Sequence, residues 1–197
     1  MIRTAVLPGL AAAVLLSLPA TAFAQHASPS PYAGAESRAI KSLSQDDIDE
    51  LRRGGGWGLA LAAELNGVPG PAHLLELKGA IGLRADQVAA IEAIHAQMRT
   101  EARAAGERLI AAEAAIEAAF RAGDLEEKTL RGLVADAEAA RADLRFVHLS
   151  RHLSTPPLLT ADQIAAYAAA RGYASDPCAA VPQGHDVTMW RRHNGCD

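Results

Sequence analysis

Aromatic side chains are scarce in this sequence: three Phe, three Tyr and two Trp make up 4% of its 197 residues. Half of the residues are apolar, but alanine supplies much of that share. Alanine favours helix and buries little area, so a thin seam between helices is expected in place of a thick core. Positive charge is not in excess, with 19 Lys and Arg against 23 Asp and Glu, a net charge of −4. That balance offers no basic face for nucleic acid. There is no H-E-x-x-H helix and no nucleophile with a spaced base, so no enzyme is expected. Gly54-Gly55-Gly56 has no strand before it and no Lys-Ser/Thr after it. It reads as a hinge, not a phosphate loop.

Long apolar runs are confined to the first residues. Arg3 is a short positive region, residues 5–20 are mostly apolar, and Ala22-Phe23-Ala24 forms an A-x-A site before Gln25. This pattern is that of an export signal cleaved after Ala24. The run contains Pro8 and is short for a membrane span of about 20 residues. No cysteine follows the cleavage site, so a lipid anchor is not indicated. No later segment is apolar enough to span a bilayer. Without Arg3 the exported chain carries 18 basic and 23 acidic residues. The two cysteines, Cys178 and Cys196, both lie near the C-terminus. In an oxidising compartment they close the tail with a disulfide, or they remain two free thiols.

What is abundant is helical periodicity. Residues 25–43 begin Pro/Ser-rich and read as a disordered leader. Short helices follow over 44–82: one opened by Ser44 with Asp47 three residues on, a second over Trp57–Leu65, a third over His73–Lys78 behind Pro71. From Leu83 a stripe runs through Val88, Ile91, Ile94, Met98, Ala102, Ala105, Leu109, Ala112, Ile116 and Phe120 at spacings of three and four. Gly123-Asp124 interrupts it. A second stripe then runs through Leu130, Leu133, Val134, Ala137, Leu144, Val147 and Leu149, and Pro156-Pro157 ends it. Two long helices joined by a tight turn fold back antiparallel. The expectation is an all-α protein: one long helical hairpin over 83–172 with a closing helix from Leu159, short flanking helices at both ends, and an irregular tail over 173–197. A hairpin this thin buries little alone, so a homodimer is expected.

Two helix starts share one pattern. Leu83-Arg84-Ala85-Asp86-Gln87 and Leu159-Thr160-Ala161-Asp162-Gln163 each place a Leu before the cap and a Gln able to reach back to the cap backbone. Read by themselves these are helix-start signals with no chemistry of their own. Their order and spacing resemble the periplasmic LTxxQ-type family of Gram-negative bacteria, which includes Spy/CpxP-like chaperones and ZraP- and CnrX-like heavy-metal proteins. The resemblance covers residues 73–171, with Arg84 standing where the motif has Thr. It implies a periplasmic protein that either binds a heavy metal as a sensor or buffer or acts as an ATP-independent chaperone. Its partners would be a second copy, and unfolded periplasmic proteins or a membrane-bound regulator.

Histidine placement bears on that choice. His148 and His152 stand one turn apart on one helix face, a spacing that can hold one metal ion. His95 lies 28 residues before Gly123, while His148 and His152 lie 25 and 29 after it. Both arms rise ~1.5 Å per residue, so the three fall level across the seam. His73 and Glu76 sit on the short helix near that open end. In metal-binding relatives the ligands come from a segment ahead of the first long helix, from that helix, and from a His-x-x-x-Met-like pair late in the second. His73, His95, His148 and His152 occupy those places, with His152 an imidazole where the pattern has a thioether. Glu76 or a water would complete the shell. Such a set suits zinc, copper, nickel or cobalt; the alternative is four ordinary surface histidines. His185 and His193 with the two cysteines offer a second candidate set in the tail.

Overall fold

A computed structural model of the chain describes residues 30–173, 178, 181 and 184–196. The expected export signal lies outside them. The chain divides between Ala33 and Gly34. Of the first unit only the turn over residues 30–33 is described. The second unit comprises a 3₁₀ turn Ala35–Ser37, α1 Gln45–Arg53, α2 Leu61–Glu64, α3 Pro71–Glu76, α4 Ala85–Ala122, α5 Glu127–Ser154, a 3₁₀ turn Pro156–Leu158, α6 Ala161–Ala170 and α7 Val187–Asn194. No strand occurs among the described residues, and α4 and α5 pack together as the expected hairpin. α4 is about 57 Å long and α5 about 42 Å. Gly123 ends α4 at φ 87°, a left-handed conformation that glycine enters at no steric cost.

The seam is made of small residues with leucines between them. Ala102, Ala105 and Leu109 on α4 face Ala137, Ala140 and Leu144 on α5, all buried. α1 lies across this seam and adds Ile48 and Leu51. It comes so close to α4 that a Cβ on Gly106 would stand 2.8 Å from the Leu51 carbonyl oxygen. The first helix is pinned at its start by the capping box of Ser44 and Asp47. The Trp57 indole also donates to Asp47, at 2.8 Å.

Those bonds hold the Asp47 carboxyl below the usual carboxylate range, the Ser44 hydroxyl contributing most and Trp57 next. A carboxyl depressed on folding adds stability above its unfolded pKa, about 3.9, and loses it as pH falls through the lower folded value. Asp47→Ala is therefore expected to cost about 1–2 kcal/mol at pH 7, as caps of this kind do. The gap between variant and wild type should shrink as the medium is taken well below about pH 4. Urea denaturation at the two pH values checks this, and a constant gap would contradict it.

Several expectations are corrected. The last part of the leader is ordered: Ile40 and Leu43 join the main core, 8% and 2% exposed. Lys41 pairs with Glu117 at 2.6 Å and the Ser42 hydroxyl donates to Glu113 at 2.7 Å. These two apolar residues cover a part of the seam that two helices cannot close. The second short helix is only Leu61–Glu64, because Trp57 (φ 43°) and Gly58 (φ 70°) turn the chain before it. Near the hairpin tip the stripes are not covered, leaving Phe120 62% and Val134 46% exposed. The tail holds a helix: Asp186 accepts from the Met189 backbone N–H and starts α7, and Gly195 ends it. Of the two alternatives for the cysteines the disulfide is found, between Cys178 and Cys196, with no correction needed there.

The two Leu-x-Ala-Asp-Gln starts meet. Each Gln side-chain oxygen accepts from its own cap backbone, Gln87 from Arg84 at 2.9 Å and Gln163 from Thr160 at 3.0 Å. The two amides also bond each other in both directions at 2.9 Å. Gln87 donates on to the Leu158 carbonyl at 2.7 Å, and Gln163 to the Gly82 carbonyl at 3.1 Å. Each amide thus uses both donors and both acceptor positions. Around this pair Leu74, Ile81, Ile91 and Tyr167 form a second core that fixes the base of the hairpin.

Candidate functional site

The base of the hairpin is closed by short segments fastened to its ends. Pro71 starts α3, and the chain just before it is tied to the last turn of α5. His152 Nδ1 lies 2.6 Å from the Val68 carbonyl, and the Thr155 hydroxyl donates to the Pro69 carbonyl. On the other side the glycine-rich turn after α1 comes across. Trp57 is the one non-glycine residue at positive φ among the described residues, and Arg141 stacks over its ring at 4.9 Å. Between these parts lies a cleft of about 490 Å³. Glu50, Gly55, Trp57, Glu64, Gly70 and Met98 line it, and so do His73, His95, His148 and His152.

Three elements supply the imidazoles: α3 gives His73, α4 gives His95, and α5 gives His148 and His152. His148 and His152 are 3% and 7% exposed. They continue the buried stripe of Ala137, Ala140 and Leu144 along α5, which explains why hydrophobic pattern alone does not mark them. Desolvation pushes the His148 pKa down; a hydrogen bond with the Gly55 backbone opposes it. Desolvation likewise lowers His95, helped by Arg99 and opposed by Glu76. Both shifts favour the neutral ring, the form in which an imidazole offers a lone pair.

Two of the four rings are held through Nδ1. His152 faces the Val68 carbonyl by that atom, and His73 Nδ1 lies 3.1 Å from Glu64 Oε1. Both partners are acceptors, so the proton sits on Nδ1, and in the neutral ring Nε2 is the electron-pair donor. His148 Nε2 is buried and has no hydrogen-bond partner among the described residues. The His152 ring edge rests on Gly70, where a Cβ would stand 2.5 Å from Nε2. Gly70 has φ −98°, so its backbone suits alanine and only the ring excludes one.

Glu64 escaped the sequence reading. It is 5% exposed, and its Oε1 collects four donors. The Tyr167 hydroxyl lies at 2.5 Å, the Tyr173 hydroxyl at 2.9 Å, Arg171 Nε at 3.0 Å and His73 Nδ1 at 3.1 Å. Desolvation raises its pKa but those bonds outweigh it, and the carboxyl stays below its usual range. The only hint in the sequence is an acid inside an apolar run, Leu61-Ala-Ala-Glu64-Leu65. Glu76, the expected fifth donor, is exposed on α3 and acts on His95 only through its charge.

All four expected histidines therefore border one cleft. Among the described residues, however, no three His, Cys, Asp or Glu side chains already stand as a metal shell. The tail set is removed by the Cys178–Cys196 disulfide, which leaves no thiolate, and by the His185 ring packing on Trp190 at 4.8 Å. Among the described residues no helix is long and apolar enough to cross a membrane. In comparisons with protein-family models, curated proteins and solved structures, no match to the chain is found.

Proposed function

We propose that this chain is a periplasmic LTxxQ-type stress or resistance protein, acting as sensor or buffer for a divalent transition metal bound in the cleft at the hairpin base. His73, His95, His148 and His152 are the ligands. The observation that carries the reading is the anchoring of His73 and His152 through Nδ1 beside the buried, unpartnered Nε2 of His148, since metal-binding histidines characteristically donate their other ring proton to a carbonyl or carboxylate. Binding draws the Nε2 atoms together by side-chain rotation, the backbone frame being set by the glutamine pair. Imidazoles suit zinc, nickel, cobalt and copper alike. The tail disulfide suits an oxidising compartment.

A second reading, an ATP-independent chaperone without a metal, is favoured by the large apolar side chains on the hairpin surface. Phe120, Phe146 and Leu153 are 62%, 71% and 76% exposed. Paired copies would gather them into one apolar cradle. His148→Ala/His152→Ala separates the two. The metal reading expects the double variant to lose at least about 100-fold in affinity for the ion that the wild type binds, at unchanged helix content, since two ligands are removed. Unaltered affinity would end that reading. Equal suppression of client aggregation by the metal-free protein and the double variant would leave the chaperone standing.

A further inference from the structure

The Glu64 carboxylate is partnered on one side only. Four donors converge on Oε1, while Oε2 is buried, faces no hydrogen-bond partner among the described residues, and belongs to a residue that lines the cleft. A carboxylate with a purely structural task would share four donors between its two oxygens. Leaving one bare and buried is unfavourable unless a donor comes to it. Glu64 lines the cleft in which the metal reading puts an ion.

We infer that Glu64, on α2 and outside the hairpin, is the positioning residue of the cleft: Oε1 holds His73 with Nε2 turned toward the ion, and Oε2 accepts from a water that the ion carries. The inference rests on the metal reading. A carboxylate–histidine–metal relay fixes the ring tautomer and raises the basicity of the ligating nitrogen. A retained water belongs to a borderline divalent ion such as zinc, nickel or cobalt, not to a soft monovalent one. Because Tyr167, Arg171 and Tyr173 share the same oxygen, Glu64 also joins the cleft to α6 and the start of the tail.

The test is zinc titration of the wild type and Glu64→Gln, with nitrogen-15 NMR of the histidine rings. Glu64→Gln keeps the size and the accepting oxygen but turns an N–H₂ group toward the cleft. The expected result is a loss of about 10–100-fold in zinc affinity at unchanged helix content, as for partners of this kind elsewhere. Glu127→Gln, in an exposed pair with Arg131 at the far end of the hairpin, should bind zinc within about threefold of wild type, as a change remote from the ion does. In the metal-free wild type the His73 proton should reside on Nδ1. Equal zinc affinity in the wild type and Glu64→Gln would overturn the inference and leave the cleft reading intact. A wild-type His73 carrying its proton on Nε2 would overturn it even if Glu64→Gln failed to fold. A wild type that binds none of zinc, nickel, cobalt and copper would remove the cleft reading, and this inference with it; one that binds copper alone would overturn this inference only.

Discussion

Gly106→Val is expected to lift α1 from the hairpin and cost about 3 kcal/mol, the upper range for forcing bulk into a packed core. The Cβ alone would stand 2.8 Å from the Leu51 carbonyl oxygen and 3.2 Å from its carbon. These are backbone atoms, so no rotamer change relieves the clash. α1 cannot retreat without uncovering Leu51, which is fully buried, and Ile48 beside it. Further along, the Cβ position of Gly54 lies 2.7 Å from the Arg99 carbonyl, so the end of α1 also runs tight against α4. Gly106→Ala should fall between the two, because alanine regains up to about 1 kcal/mol of helix propensity. Urea denaturation measures the cost. Trp57 fluorescence reports the movement, since its indole bonds to Asp47 on α1 and stacks with Arg141 on α5. A valine variant within about 1 kcal/mol of wild type would show that the close approach is relieved at little cost.

Gln87→Ala is expected to cost about 2–4 kcal/mol, from several buried polar groups each left short of a partner. It removes the bonds to Gln163, the Leu158 carbonyl and the Arg84 N–H together. Changing both glutamines to leucine should cost less than the sum of the two single changes, since the second no longer strands a buried amide. A coupling of about 1–2 kcal/mol is expected for groups in direct contact. Additive losses would mean that each glutamine acts only as a local cap.

The long hairpin was legible because its signals are local. Caps, breakers and the 3.6-residue period act within a few positions, and they set α4, the Gly123 turn, α5 and the Thr160 cap close to where they are found. The register of the arms followed from counting residues about that turn, which is why His95, His148 and His152 were expected level and do border one cleft. The covering pieces were not legible. Whether Ile40 and Leu43 are buried depends on which part of the seam α1 leaves open, a fact fixed in α4, where their neighbours Lys41 and Ser42 bond residues 76 and 71 positions away. Gly106 carries no local signal, although the Leu51 backbone passes so close that it leaves no room for a Cβ. Phe120 read as part of an inward stripe, but near the tip it stands 62% exposed. Glu64 left only the hint of an acid in an apolar run, because its four donors come from α3, α6 and the residues just after α6. The Nδ1 anchors were equally hidden, one being this carboxylate and the other the Val68 carbonyl, in a turn whose path the sequence does not mark.

Whether the cleft binds a transition metal is decided most simply by calorimetric titration of the purified, metal-free protein with zinc, nickel, cobalt and copper. One ion per chain is expected, held at roughly micromolar or tighter for at least one of the four. Binding of none of them below about millimolar would contradict a metal site at the hairpin base.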